Sequence, residues 1–203
     1  MRTLGLVAWM LMASCGQVRG VHLAEGLVIM PGRSVSLPAT TCLDAGWLEQ
    51  IACGIGTREH ESLLRIDVSP HLLHAALIAA GFTPGRPGAW EVDAVGALHL
   101  RPPDGDPLQV LVQHNGRTFP VTDWVIGEGP LHWRFAGSIE DRGYAANRSG
   151  SIVGLVTFGD EVVGCERVVP DRADVAQPSW EVAAEMVPPP GTPVRLVFSK
   201  SPG

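Results

Sequence analysis

Thr57-Arg-Glu-His-Glu-Ser-Leu-Leu-Arg-Ile-Asp-Val-Ser-Pro-His-Leu-Leu-His-Ala-Ala-Leu-Ile-Ala-Ala-Gly-Phe-Thr-Pro-Gly-Arg-Pro-Gly88 contains both hydrophobic periods from which a fold can be read. Over residues 61–68 the period is two, which is that of a strand: Ser62, Leu64, Ile66 and Val68 share one face, and Glu61, Leu63, Arg65 and Asp67 the other. Continued backward, this alternation places His60 on the side of Leu64 and Ile66. Residues 70–80 then switch to helical spacing. Ser69 stands at the cap, Pro70 fits the first helical position, and Gly81 supplies a left-handed stop. Leu72, Leu73, Ala76, Leu77 and Ala80 form a wide apolar face, which the chain must bury against a sheet.

On either side of this stretch the chain is strand-like. Residues 22–30 and 34–40 read as a hairpin turned at Pro31-Gly32-Arg33, and residues 47–53 read as a third strand after a turn at 43–46. A weaker segment at 89–100 lies between Pro/Gly loops. Further strands are expected at 108–114, 118–120, 131–135, 151–158, 161–165 and 193–199, with Asn115-Gly116 as a tight turn. The expected fold class is α+β: mainly antiparallel sheet, with one well-defined helix at about 70–80 packed on it, in a single domain. Trp47, Trp124 and Trp133 are expected to anchor the core.

The N-terminus reads as an export signal. Arg2 precedes an apolar run at 4–12 that is too short to span a bilayer. That run ends at Met12-Ala13-Ser14-Cys15, the pattern of a lipobox, with a plain secretory cleavage as the other reading. On the first reading residues 1–14 are removed, Cys15 is lipidated, 15–20 form a tether and 21–200 form the domain. The protein would then sit in the periplasm or envelope, anchored to a bacterial membrane. The excess of 21 acidic over 15 basic side chains, without a basic cluster, argues against nucleic acid as a partner.

Three further cysteines, Cys42, Cys53 and Cys165, have no Cys-x-x-Cys spacing that would suggest a zinc ribbon or iron–sulfur site. If residues 43–46 turn a hairpin, Cys42 and Cys53 lie beyond disulfide reach, and a bridge between them requires a different register. The pairing therefore stays open, and all three read as small buried hydrophobes.

Glu59, His60, Glu61, His71 and His74 are the one concentrated set of ligands and acid/base groups. His71 and His74, three apart on a helix, can face a common point, and the helix N-terminus favours neutral imidazole there. With His60 as third ligand and Glu59 or Glu61 as base, a divalent metal and metal-dependent hydrolase-like chemistry would follow. Against this, the catalytic Glu of a helix-borne zinc motif is missing. Solvated carboxylates paired with Arg58 and Arg65, and histidines bonded to carbonyls, account for the same residues. Gly137-Ser138 is not a Gly-x-Ser-x-Gly elbow, and Gly54-Ile55-Gly56 does not open a helix. The favoured reading is a non-enzymatic binding or assembly module with no cofactor, whose partner is an envelope protein or small molecule.

Besides residues 57–88, the order of Leu37-Pro38-Ala39, Gly46-Trp47-Leu48-Glu49, Asp123-Trp124, Phe135-Ala136-Gly137-Ser138, Tyr144-Ala145-Ala146, Gly150-Ser151 and 189–194 resembles the YdjY-domain family of uncharacterised exported bacterial proteins. The resemblance spans about 35–197 and implies an exported domain. It carries over no activity, and it departs at Gly164-Cys165-Glu166-Arg167, so Cys165 inherits no role.

Overall fold

The computed structural model describes residues 20–201 apart from 25, 141–142, 168 and 170–178, so residues 1–14 and Cys15 lie outside it. Short strands β1 (Val21–Ala24) and β2 (Leu27–Met30) lead into β3 (Ser34–Thr41). After a loop come β4 (Gln50–Gly54), a 3-10 turn at Glu59–Glu61, β5 (Ser62–Ile66) and helix α1 (Pro70–Ala79). A hairpin of β6 (Ala89–Val92) and β7 (Leu98–Arg101) occupies the weak segment, followed by β8 (Pro107–His114), β9 (Arg117–Pro120) and β10 (Val125–Gly127). The remainder is β11 (Trp133–Phe135), β12 (Ile139–Glu140), β13 (Gly143–Tyr144), α2 (Ala146–Ser149), β14 (Ser151–Gly154), β15 (Val163–Cys165), β16 (Trp180–Val182) and β17 (Pro193–Lys200).

Eight of these strands pair in the cycle β3-β17-β8-β11-β15-β14-β4-β5, and β5 returns to β3 through Thr40 opposite Arg65 and Thr41 opposite Leu64. The protein is therefore mostly β and built on a closed eight-stranded barrel, which corrects the expected α+β sheet with a packed helix. The alternation of each strand is the same in an open sheet and a closed one. Closure depends on which strands pair, and period alone does not encode that. The rows that fill the barrel are apolar, with Val110, Phe198 and Val35 in register, and Val112, Leu196 and Leu37 beside them, all essentially inaccessible. Burying each such side chain contributes about 1.5–3 kcal/mol. Within this apolar interior, Gln50 Nε2 donates to Ser151 Oγ at 3.1 Å.

The expected hairpin across 43–46 does not form. β5 inserts between β3 and β4, and β4 pairs with β5 in parallel, Gln50 opposite Ser62 and Cys53 opposite Arg65. The loop after β3 swings outward instead, so Trp47 bridges to Glu181 and Leu48 N–H donates to the Trp180 carbonyl at 2.9 Å. Trp47 is consequently 54% exposed and anchors nothing, whereas Trp124 and Trp133 are buried as expected.

Helix α1 forms where its end signals place it and lies against β2, β3 and α2. Ser69 occupies the cap position but makes no side-chain cap bond. Asn147 Oδ1 of α2 takes over, accepting from His71 N–H at 3.2 Å and so pairing one of the helix's orphan donors. At the other end Gly81 adopts φ +93, Phe82 N–H reaches the Leu77 carbonyl at 3.0 Å, and Gly81 N–H reaches that of Ile78 at 2.8 Å. These two bonds make a Schellman stop, closed by contact of buried Phe82 with the core.

Candidate functional site

The five candidate residues fall into three separate environments. Glu59, His60 and Glu61 are not the start of β5. They form the 3-10 turn of the crossover between the parallel strands β4 and β5, where the period of two no longer applies. Glu59 Oε1 accepts from Gly56 N–H at 2.7 Å, and Oε2 accepts from Arg65 at 2.7 Å. The Gly56 bond, followed by Arg65, holds the Glu59 carboxyl below the usual range. Glu61 pairs with Arg58 at 3.2 Å, while the His60 side chain is 79% exposed, 3.6 Å from Glu61, and points away from the barrel interior.

His71 sits at the exposed start of α1, its Nδ1 within 3.1–3.3 Å of the Asn147 amide. His74, one turn on, is 7% exposed. Its Nδ1 lies 2.8 Å from the Gly137 carbonyl and 3.0 Å from the Tyr144 hydroxyl, and its ring meets Phe135 and Tyr144 edge-on at 5.0 and 5.2 Å. Burial lowers the His74 pKa, with the Gly137 bond opposing, so the neutral ring donates its Nδ1 proton to Gly137. His60, His71 and His74 thus have three different partner sets. Among the described residues, no group of three His, Cys, Asp or Glu side chains is placed to hold a metal ion.

Gly137 and Ser138, which the sequence offers only as a failed nucleophile elbow, form a constrained corner. Ser138 has φ +54, donates its hydroxyl to the Asp160 carbonyl and accepts from Ala146 N–H at 2.8 Å, so the strained residue is held by two bonds of its own. Nearby, Glu161 is 1% exposed and accepts from the N–H groups of Gly88, Gly159 and Asp160 at 3.0–3.1 Å. Burial raises its pKa against the pull of those bonds. Glu49 is another carboxyl that spacing does not reveal. Burial, then its neighbour Glu61, raises its pKa.

A further concavity lies elsewhere, where the barrel wall is split. One side of β8 pairs with β17 along its length. The other pairs with β11 only at Pro107–Leu108 and with β9 only from Leu111 onward. Between β9 and β11 opens a cleft of about 390 Å³, lined among others by Leu108, Gln109, Leu131, His132, Trp133 and Glu166. Glu166 is held by Arg134. A largely apolar lining with a few polar groups is the make-up of a small-ligand or side-chain pocket. Sequence reasoning missed it because no motif marks a gap between two strands that each pair with a third.

A closed barrel with a side cleft, a capped helix on its flank and a corner locked by a buried histidine defines a class of architecture but no chemistry. Residues 28–199 match the YdjY domain, and the chain belongs to that family. No curated protein and no solved structure matches it.

Proposed function

We propose that the protein is an exported, lipid-anchored envelope protein that works as a non-enzymatic binding module, with the cleft between β9 and β11 as its recognition surface. The cleft carries this reading. Its volume suits a small amphipathic molecule or one inserted side chain of an envelope partner, and it lies where the strand pairing of β8 is interrupted. The lipobox ending at Cys15 and the tether at 15–20 supply the anchor in this proposal. The three-histidine arrangement that a metal-dependent hydrolase requires has no support from the positions of His60, His71 and His74.

Site-specific photocrosslinking in intact cells tests the binding role. A benzophenone side chain at Gln109, in the cleft, should give a discrete adduct that Leu131→Arg removes, and the same probe at Arg117, outside the cleft, should give none. Equal labelling at both positions, or none at Gln109, contradicts the cleft assignment. For the anchor, Cys15→Ser should move the protein from the membrane to the soluble envelope fraction. An unchanged distribution contradicts lipidation.

A further inference from the structure

The weak segment at 89–100 folds into a hairpin that stands off the barrel. Strands β6 and β7 pair with each other, Trp90 opposite Leu100 and Val92 opposite Leu98, and with no other described strand. By the period of two these four apolar side chains share one face, while Glu91, His99 and Arg101 share the other. On the polar face the charges are paired within the hairpin, Glu91 accepting from Arg101 at 2.6 Å with His99 3.7 Å away. The apolar face has no such cover. Among the described residues neither Trp90 nor Leu100 joins the core, and Val92, Val95 and Leu98 toward the tip are 68%, 88% and 52% exposed. The tip is bonded inward. Asp93 Oδ1 accepts from the Val95 and Ala97 N–H groups at 2.9 Å, and the Asp93 and Gly96 N–H groups donate to the Ala97 and Asp93 carbonyls at 3.0 Å. Apolar side chains turned outward over backbone donors that are already paired are what an apolar environment demands of a loop.

We propose that the hairpin of β6 and β7 is a membrane-surface contact, seating Val92, Val95 and Leu98 at the headgroup–acyl boundary of a lipid bilayer. This inference rests on the envelope reading given above, in which a lipid on Cys15 tethers the domain to that bilayer. Position favours lipid over a protein partner. The described chain begins at Gly20, beside Val28 to Met30 and next to the turn at 31–33. From that turn Arg33 bonds to Asp106, and Asp106 is tied to Thr83 by its N–H at 3.0 Å and by its carboxylate at 3.1 Å. Pro84 then bridges to Gly105 and Arg86 pairs with Asp104 at 3.1 Å, a two-chain ladder that runs on into β6 and β7. The hairpin is therefore rooted at the end of the barrel where the tether arrives, whereas the turn at 115–116 closes the opposite end. Five residues from Cys15 to Gly20 reach at most about 18 Å, which keeps that end close to the membrane. Trp90, on the apolar face below the exposed residues, is of the type that settles at headgroup level. A seat this shallow leaves Glu91, Asp93 and Arg101 in the hydrated headgroup layer.

The test uses the full chain carrying Cys15→Ser, so that no attached lipid contributes. A solvatochromic dansyl amino acid replaces Val95 or, as control, Arg117 at the opposite end of the barrel. With phosphatidylcholine vesicles in excess, emission from position 95 should move to shorter wavelength while that from position 117 stays in place. Val92→Asp together with Leu98→Asp should abolish the shift, and since neither side chain belongs to the core the barrel should be unaffected. No shift at 95, equal shifts at both positions, or a shift that survives the double substitution overturns the proposal. So does a shift that needs no vesicles and grows with protein concentration, which assigns the hairpin to a second copy of the chain. Three side chains make a reversible seat that washing removes, so the membrane fraction of Cys15→Ser still reports the lipid anchor alone. Failure of the vesicle test therefore counts against the hairpin, and failure of the fractionation test against the anchor.

Discussion

Replacing His74 tests the corner that joins α1 to the segment after β11. In His74→Phe a ring still packs against Phe135 and Tyr144, but the Gly137 carbonyl loses its donor. An unsatisfied buried polar group costs about 1–3 kcal/mol, so a loss of about 2 kcal/mol is expected. His74→Ala also gives up the two edge-on ring contacts, each about 0.5–1.5 kcal/mol, and opens a cavity, so about 3–4 kcal/mol is expected. The pH dependence separates this assignment from simple packing. Burial sets the folded pKa of His74 below its ordinary 6.5. The unfolded chain therefore takes up a proton as pH drops through 6.5 while the folded chain does not. Stability from this group is complete above that pH and is lost as pH falls toward the folded pKa, by at most about 1.4 kcal/mol per pH unit. His74→Phe has no such term, so the gap between parent and variant should narrow from pH 7 to pH 5. Urea unfolding followed by tryptophan fluorescence measures it, since Trp124, Trp133 and Trp180 are buried. Histidines common to both proteins cancel in the difference. A gap under about 0.5 kcal/mol at pH 7, within the ordinary range for a neutral substitution, or a gap constant with pH, would refute the assignment.

Gly150 has φ +77, and a Cβ there would lie 2.1 Å from Thr57 Oγ1. Gly150→Ala should cost roughly 2 kcal/mol or more, and adding Thr57→Ala should recover the part due to the clash but not the part due to φ, as read from urea midpoints. Trp47→Ala should change stability by less than about 0.5 kcal/mol, whereas Trp124→Ala should cost about 3–5 kcal/mol, and thermal melts of the two would show it. The Glu59 carboxyl is held low by Gly56 and Arg65. Its contribution is therefore present above the unfolded value of 4.5 and lost as pH falls below it. Acid titration of Glu59→Gln should show a flatter loss of stability than the parent over that limb.

The parts of the fold set by local chemistry were legible in the sequence. The caps and stop of α1, the turn at 31–33 and the alternation of β8 and β17 each depend on residues within a few positions of one another. What failed depended on long-range pairing. Nothing near residues 43–46 tells that β5, some twenty positions on, will displace β4 as the neighbour of β3. Barrel closure and the exposure of Trp47 both follow from that single insertion. The side cleft was invisible for the same reason, since it exists only because β9 and β11 each claim a different part of β8.

The crowding of histidines and glutamates around residues 59–74 shows how proximity in sequence misleads. Glu59 spends both carboxylate oxygens on shaping the 3-10 crossover, through Gly56 and Arg65, and that crossover is what lets β4 and β5 run parallel. His74 reaches Phe135, Gly137 and Tyr144, and the start of α1 reaches Asn147. Thr57 lies against Gly150. Phe135 to Ser138, Tyr144 to Ala146 and Gly150 are among the scattered pieces on which the family resemblance rests. They meet residues 57–74 at one corner of the barrel, so the opening stretch and these distant pieces form a single packing unit. That contact ties them to the helix-bearing stretch, and His74→Phe, which leaves every other member of the corner in place, is the substitution that measures it.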